Sequence, residues 1–172
     1  YDALVLDVDG TLVGSDKKVS ENTRQALIEL QQRGKTVAIA SGRSISGIRR
    51  TAAAIQLEQF GGYVIAYNGT TVVNCKTGEC IYNQTLDQEM IKPVYEAAKE
   101  LQLGITVYHD EAKELLAGNG IDQYIEADAK ACDITIRQVN DLVRAIDFPV
   151  NKILLSGEPD KMKEVEKTLK ER

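Results

Sequence analysis

Ala3-Leu4-Val5-Leu6-Asp7-Val8-Asp9-Gly10-Thr11-Leu12 is the stretch from which the rest of the chain is read. Its first part, Ala3–Val8, is apolar on both faces, the pattern of a buried parallel strand rather than one with a wet side. Two carboxylates sit at the C-terminal end of that strand, where open α/β sheets bind their ligands. Strand alternation directs Asp7 and Asp9 to the same side of that end. Gly10 then allows a sharp turn and leaves backbone N–H groups open to an anion. Asp pairs after strands commonly serve only as caps or turn formers. Here the apolar strand before them and Gly-Thr after them favour a chemical role. Two close carboxylates repel each other, and a divalent cation relieves the repulsion, hard oxygen ligands suiting Mg2+. Such an ion also shields them from a phosphate, so that one can attack phosphorus while the other moves a proton.

Outward from this stretch, the chain alternates strand and helix. A polar loop, Asp9–Lys18, leads to a helix opened by Ser20 as N-cap, with Ala26, Leu27 and Leu30 as its apolar stripe and Gly34 as its stop. Thr36–Ala40 reads as a second apolar strand. Ser44–Gln56 reads as a helix with Ile45, Ile48, Ala52 and Ile55 on one side, and Tyr63–Ala66 as a third strand. Such alternation calls for right-handed crossovers and a Rossmann-like, doubly wound parallel α/β sheet. The second strand runs into Ser41-Gly42-Arg43, whose hydroxyl and glycine N–H at a helix start would form a small anion seat. By itself the triplet is an ordinary cap with a solvated arginine; its place beside the Asp pair raises it above that. Tyr67-Asn68-Gly69, after the third strand, is first of all a turn, and only its position makes Asn68 a rim residue.

Past Asn68-Gly69 the texture changes. Thr70–Asn74 and Glu79–Asn83 read as a hairpin about Thr77-Gly78, and a helix runs from an Asp87 cap to near Leu101, with a kink expected at Pro93. Strands are expected at Ile105–His109, Lys113–Ala117, Ile134–Arg137 and Asn151–Ser156. Helices are expected at Asp122–Lys130, Asn140–Ile146 and after Pro159. The expected division is residues 1–83, an α/β unit, and residues 84–172, an α+β unit.

Composition closes several doors. The 172 residues carry 26 acidic and 21 basic side chains, a net charge of −5, which disfavours nucleic acid or an anionic membrane as partner. Nine aromatics without basic interleaving point the same way. No apolar run approaches a membrane span. Cys75, Cys80 and Cys132 make no even framework and read as reduced thiols of a cytoplasmic protein, although Cys75 and Cys80 could face each other across the hairpin. A zinc site from these three with His109 has little local spacing in its favour. His109, the one histidine, reads as a structural or rim residue, and G-x-S-x-G, P-loop and dinucleotide motifs are absent from the sequence. The Lys- and Glu-rich C-terminal helix alternates in sign and reads as a solvated face.

Asp7-x-Asp9-Gly10-Thr11-Leu12, then Ser41-Gly42-Arg43, then Asn68-Gly69-Thr70, resembles the haloacid dehalogenase superfamily, and within it the Cof-type phosphatases with a large α/β cap inserted in the core. The resemblance implies that Asp7 is the nucleophile, forming an aspartyl-phosphate, and a Mg2+ ligand. It implies that Asp9 is the general acid/base and binds Mg2+ through its backbone carbonyl. Gly10, Thr11, Ser41 and Gly42 would seat the phosphate, and Arg43 and Asn68 would line the entrance. A small phosphate ester, most often a sugar phosphate, is the implied substrate. The family's later lysine and its Gly-Asp-x-x-x-Asp segment are not found in this sequence, and Tyr1 is not an initiator Met. The expectation is thus half a catalytic core followed by most of a cap. Two other readings stay open on the sequence alone, a phosphosugar mutase and a non-catalytic binder of phosphate ligands. Oligomeric state is not legible.

Overall fold

Parallel pairing organises the first unit. In the computed structural model, which describes residues 1–170, β1 (Ala3–Leu6), β2 (Thr36–Ala40) and β3 (Tyr63–Ala66) lie side by side in parallel. Leu6 stands opposite Ile39, and Ala40 opposite Ile65, so the three C-terminal ends meet at one edge of the sheet. Val37, Ile39, Val64 and Ala66 are buried beneath the crossover helices. Helix α1 (Glu21–Gln32) is capped by Ser20, whose hydroxyl accepts from the Thr23 N–H at 3.3 Å. Its expected stripe is only partly used, because Leu27 is buried while Ala26 stays exposed. Gln31 takes the next inward position. Its amide nitrogen donates to the carbonyls of Leu27 and Ile55 at 3.1 and 2.8 Å, while its buried Oε1 has no partner among the described residues.

Two expectations about this unit change. The helix expected through Gln56 ends earlier: α2 (Ile45–Ala54) stops, Gln56 turns left-handed at φ 58°, and α3 (Leu57–Phe60) restarts the chain on a new axis. Ile55 and Leu57 are both fully buried across that break, so core packing overrides the continuous helical pattern. The hairpin lies within the first unit, as the expected division at residue 83 has it, but it also joins the sheet, which has five strands rather than the expected three. β4 (Thr71–Asn74) pairs antiparallel with β3, and β5 (Cys80–Asn83) with β4, giving the order β1-β2-β3-β4-β5. A reversal as short as the 3₁₀ turn Tyr67–Gly69 permits only an antiparallel neighbour. At the opposite side, β1 has a single partner strand. Its apolar residues are therefore open, Leu4 at 36% and Val5 at 56% of full exposure.

Contacts break between Gln84 and Thr85, and the second unit follows. Its elements in order are α4 (Gln88–Glu100), β6 (Gly104–His109), β7 (Glu114–Gly118), α5 (Gln123–Cys132), β8 (Thr135–Gln138), α6 (Leu142–Ala145), β9 (Ile153–Ser156) and α7 (Pro159–Lys170). The sheet order is β8-β7-β6-β9, with β7–β8 parallel across the α5 crossover and the other pairs antiparallel. Ile105, Val107 and Leu116 pack with Ile91, Tyr95 and Leu142 in one buried cluster. Tyr108, from the same strand as Val107, donates its hydroxyl to Asp128 of α5 and ties that helix to the sheet. Pro93 lies inside α4, which continues through it to Glu100. Among the described residues no helix is long and apolar enough to cross a membrane.

The cysteines do not meet across the hairpin. Register sets Cys80 opposite Val73, Cys75 belongs to the turn after β4, and none of the three cysteines forms a disulfide. Burial, with the Glu58 carboxylate adding to it, pushes the Cys75 thiol up to about 11. Iodoacetamide at pH 8 should therefore alkylate exposed Cys80 well before Cys75, as peptide mass mapping would read. Close packing gives a second prediction. A Cβ on Gly62 would lie 2.4 Å from Leu57 Cδ2 and 2.5 Å from the Val37 carbonyl oxygen. Gly62→Ala should cost about 1–3 kcal/mol in urea unfolding, since backbone cannot yield as a side chain does.

Candidate active site

The two carboxylates leave β1 by a turn rather than by strand alternation. The strand ends at Leu6, two residues before the sequence places its end, and Val8 swings inward to full burial. The Asp7 carbonyl accepts from Leu12 N–H at 3.1 Å and the Val8 carbonyl from Val13 N–H at 3.0 Å. Buried Leu12 and Val13 hold this turn against the unit's core. Asp7 and Asp9 therefore both lie in the turn beyond β1 rather than within the strand. Gly10 occupies φ +79°, a conformation that strains any residue with a Cβ. Thr11 folds back, and its hydroxyl donates to Asp7 Oδ2 at 3.3 Å.

Asp9 is the most heavily contacted carboxylate of the edge. Arg43 forks onto it, Nε to Oδ2 at 2.8 Å and Nη2 to Oδ1 at 2.7 Å, and Lys17 Nζ reaches Oδ1 at 2.9 Å. The Arg43 hydrogen bonds hold the Asp9 carboxyl below its usual value; partial burial opposes this, and Lys17 adds to it. Sequence reasoning does not find Lys17. It is a left-handed residue at φ 59°, in a turn where its N–H donates to the Gly14 carbonyl at 3.0 Å. The one signal in the sequence is the short polar Gly14-Ser15-Asp16-Lys17 turn, which looks like any solvated loop.

The ends of β2 and β3 are stitched together. Ser41 is 8% exposed; its N–H donates to the Ile65 carbonyl at 2.9 Å, and its carbonyl accepts from Asn68 N–H at 3.1 Å. Arg43 N–H donates to Ser41 Oγ at 3.2 Å, and the Arg43 carbonyl accepts from Tyr67 N–H at 2.9 Å. Helix α2 begins only at Ile45 and is capped by Ser44, whose Oγ accepts from Gly47 N–H at 3.1 Å. Ser41-Gly42-Arg43 thus forms its own loop ahead of the helix, not the helix start that the sequence suggested. Gly42 presses on Asn68, for a Cβ there would stand 3.1 Å from the amide nitrogen. Tyr67, Asn68 and Gly69 all have positive φ (51°, 60° and 101°), a run that is costly for two residues bearing side chains.

Asp7, Asp9, Gly10, Thr11, Ser41, Gly42, Arg43 and Asn68 therefore all follow the C-terminal ends of three adjacent parallel strands. Asp7 is exposed and offers hard oxygens of the kind Mg2+ prefers, and the Asp9 backbone carbonyl is a second such donor. Among the described residues no group of three or more Asp, Glu, His or Cys could hold a metal by itself. That donor set fits Mg2+ as it is usually bound, by one or two carboxylates with the other positions left to water and phosphate. His109 lies elsewhere, in β6 of the second unit, stacked on Phe148 at 3.9 Å.

Comparisons with known proteins show the family and the fold. The sequence model of the haloacid dehalogenase-like hydrolases matches residues 4–172. An HMP-PP phosphatase of Cronobacter sakazakii is 31% identical over 159 residues, covering 92% of this chain and 56% of that protein. A haloacid dehalogenase-like hydrolase from Bacteroides thetaiotaomicron superposes with a TM-score of 0.90 at 35% identity, over 98% of this chain and 63% of its own. A Thermotoga maritima protein superposes with a TM-score of 0.78 at 27% identity, over 100% of this chain and 62% of its own. The chain spans 61% of a Bacillus subtilis relative that it matches along 96% of its own length.

The Arg43 fork makes a testable statement about pH. Because the folded carboxyl of Asp9 is depressed, this pair supports the fold above the unfolded carboxylate's value. That support fades as pH falls through the folded one. Arg43→Gln should raise the Asp9 carboxyl back towards an ordinary carboxylate, as a carbon-detected NMR titration would show. An unchanged titration would mean that the fork does not set the charge on Asp9.

Proposed function

The chain belongs to the haloacid dehalogenase-like hydrolases, and on that premise we propose that it is part of a Mg2+-dependent phosphatase of small phosphorylated metabolites, sugar phosphates foremost. The observation that carries this reading is the alignment of Asp7, Ser41 and Asn68 at the ends of β1, β2 and β3. A phosphate placed at that edge meets a nucleophilic carboxylate, a buried serine loop and the side chain of Asn68. The phosphatase name of the Cronobacter sakazakii relative supports the same class.

In this reading an Asp7 oxygen attacks phosphorus in line. The P–O bond to the leaving group breaks, and the departing oxygen takes a proton from Asp9. Asp9, now ionised, takes a proton from water, whose oxygen attacks the Asp7-bound phosphorus and releases inorganic phosphate. Asp7 regains its carboxylate. Gly10 and Thr11 on one side, and Ser41 with Gly42 on the other, would hold the phosphate oxygens, while Arg43 and Asn68 line the approach. Mg2+, held by the Asp7 carboxylate and the Asp9 carbonyl, would neutralise charge between nucleophile and phosphate when bound.

The ion pairs of Asp9 add a constraint on the first step. Arg43 and Lys17 stabilise the ionised form, which is the one needed to accept a proton from water. Donating a proton to the leaving group requires the fork to open first. A phosphate ester is a natural competitor for the guanidinium, since Arg binds phosphate in the same two-pronged way. Substrate arrival would thus release Asp9 for its role as an acid.

Asp7→Asn, in the protein at its natural length, should lower phosphate release by at least about a thousandfold, as loss of a covalent nucleophile does. Asp9→Asn should cost about 10²–10⁴-fold. Acid-quenched wild-type protein should carry phosphate on the Asp7 peptide. A mutase would convert one phosphate isomer to another with little phosphate released. Hydrolysis unaffected by Asp7→Asn would end this reading.

A further inference from the structure

The second unit has a cavity of about 540 Å³ at one end of its sheet, within the roughly 300–1,000 Å³ typical of small-molecule sites. It lies where Gly104 of β6 pairs with Ser156 of β9. The chain enters this unit at the other end: Leu86 N–H donates to the Val150 carbonyl at 2.8 Å, just before β9 begins beside Val107. The cavity's lining includes none of the groups assigned to phosphate chemistry.

Its walls are tied from three directions. Lys161 of α7 donates to the Gln102 carbonyl at 3.2 Å. Glu158 accepts from the Tyr124 hydroxyl at 3.3 Å and from the Gln123 amide at 3.4 Å, joining the start of α5 to the β9–α7 loop. Ser156, 8% exposed, donates to Asp122 Oδ2 at 2.6 Å, while Asp122 Oδ1 caps α5. The floor depends on a missing side chain, since a Cβ on Gly104 would stand 2.2 Å from Ser156 Oγ and 2.6 Å from Asp122 Oδ2. Gln102, Asn119 and Gly120, at its margin, all have positive φ. A hollow held this way is largely preorganised, which reduces the ordering cost that a ligand would otherwise meet.

The chemistry of the lining selects among ligands. Asp122 and Glu158 against Lys161 leave one net negative charge, which disfavours a phosphate or carboxylate. Lys161 has an ammonium with three donors, one on Gln102, and Glu158 has acceptor sites beyond the two in use. Lys161 offers donors and Glu158 acceptors to the same cavity, a mixed pair that suits hydroxyls, each of which accepts one hydrogen bond and donates another. Tyr124, Leu103 and Ile121 supply apolar surface for the carbon face of such a molecule. The geometry points to a binding site for a neutral polyhydroxylated small molecule, a sugar or cyclitol without its phosphate.

The test titrates D-glucose and myo-inositol separately into the intact protein, read by saturation-transfer NMR. At least one should give a saturable signal in the millimolar range. Glu158→Gln and Lys161→Met, both at exposed positions, should each weaken it about fivefold or more, the effect of losing one hydrogen bond. Inorganic phosphate should not displace the polyol. Absence of saturation across the millimolar range overturns the site. So does binding indifferent to both substitutions, and so does displacement by phosphate, which would put the polyol at the strand ends of the first unit.

Discussion

Everything at the candidate active site depends on one constraint, the in-register parallel pairing of β1, β2 and β3. Parallel strands put like ends together, so three loops far apart in sequence emerge at one edge without any contact designed to gather them. The register then does the fine positioning. Continued past Leu6 beside Ile39, this register sets Asp7 level with Ala40 and Ile65, with Ser41 and Ala66 one residue further on. A slip in any pairing would carry the Asp pair away from the serine loop, and would expose Val37 and Ile39. The buried crossover residues that forbid such a slip are therefore part of the site's precision, although none of them touches it.

Hydrogen bonds between the loops complete what the strands begin. Ser41 and Arg43 both trade backbone bonds with the Tyr67–Asn68 turn, so the ends of β2 and β3 behave as one rigid piece. The loop after β1 is tied to this piece through side chains, by the Arg43 fork on Asp9. That asymmetry matters. Backbone stitching holds the serine loop in place whatever occupies the site, whereas an ion pair can be exchanged for another anion. The left-handed run from Tyr67 to Gly69 is kept in its costly shape by the same stitching, and the contact of Gly42 with Asn68 leaves that turn little room to relax.

The parts of this arrangement legible in the sequence are those set by local rules. The apolar stretch before Asp7, the Ser20 cap and the Gly34 stop each carry their own physical signal; the strand begins where that signal puts it, and the helix lies between its cap and its stop. Features decided by tertiary partners are not legible in this way. Nothing local reveals that Lys17 will reach Asp9, because the side chain belongs to a polar turn indistinguishable from solvated loops. The break at Gln56 is hidden because Ile55 and Leu57 satisfy both a continuous helix and a bent one. The hairpin is readable, but its membership in the core sheet is not, since strand signals do not say which sheet a strand joins. The end of β1 is misplaced for a similar reason. The pull of buried Val8, Leu12 and Val13 ends the strand early.

The open side of β1 bears on how such a chain is made. Among the described residues this strand pairs with β2 alone, which follows it by about thirty residues, and a parallel pair needs the whole crossover between them. During synthesis it therefore emerges ahead of that neighbour, with Leu4 and Val5 bare and its backbone donors and acceptors unused. A short, apolar, waiting strand is the kind of segment that holdase chaperones grip and that crowded nascent chains entangle. The residues that carry the candidate nucleophile to its place are thus the ones most in need of protection before the fold exists.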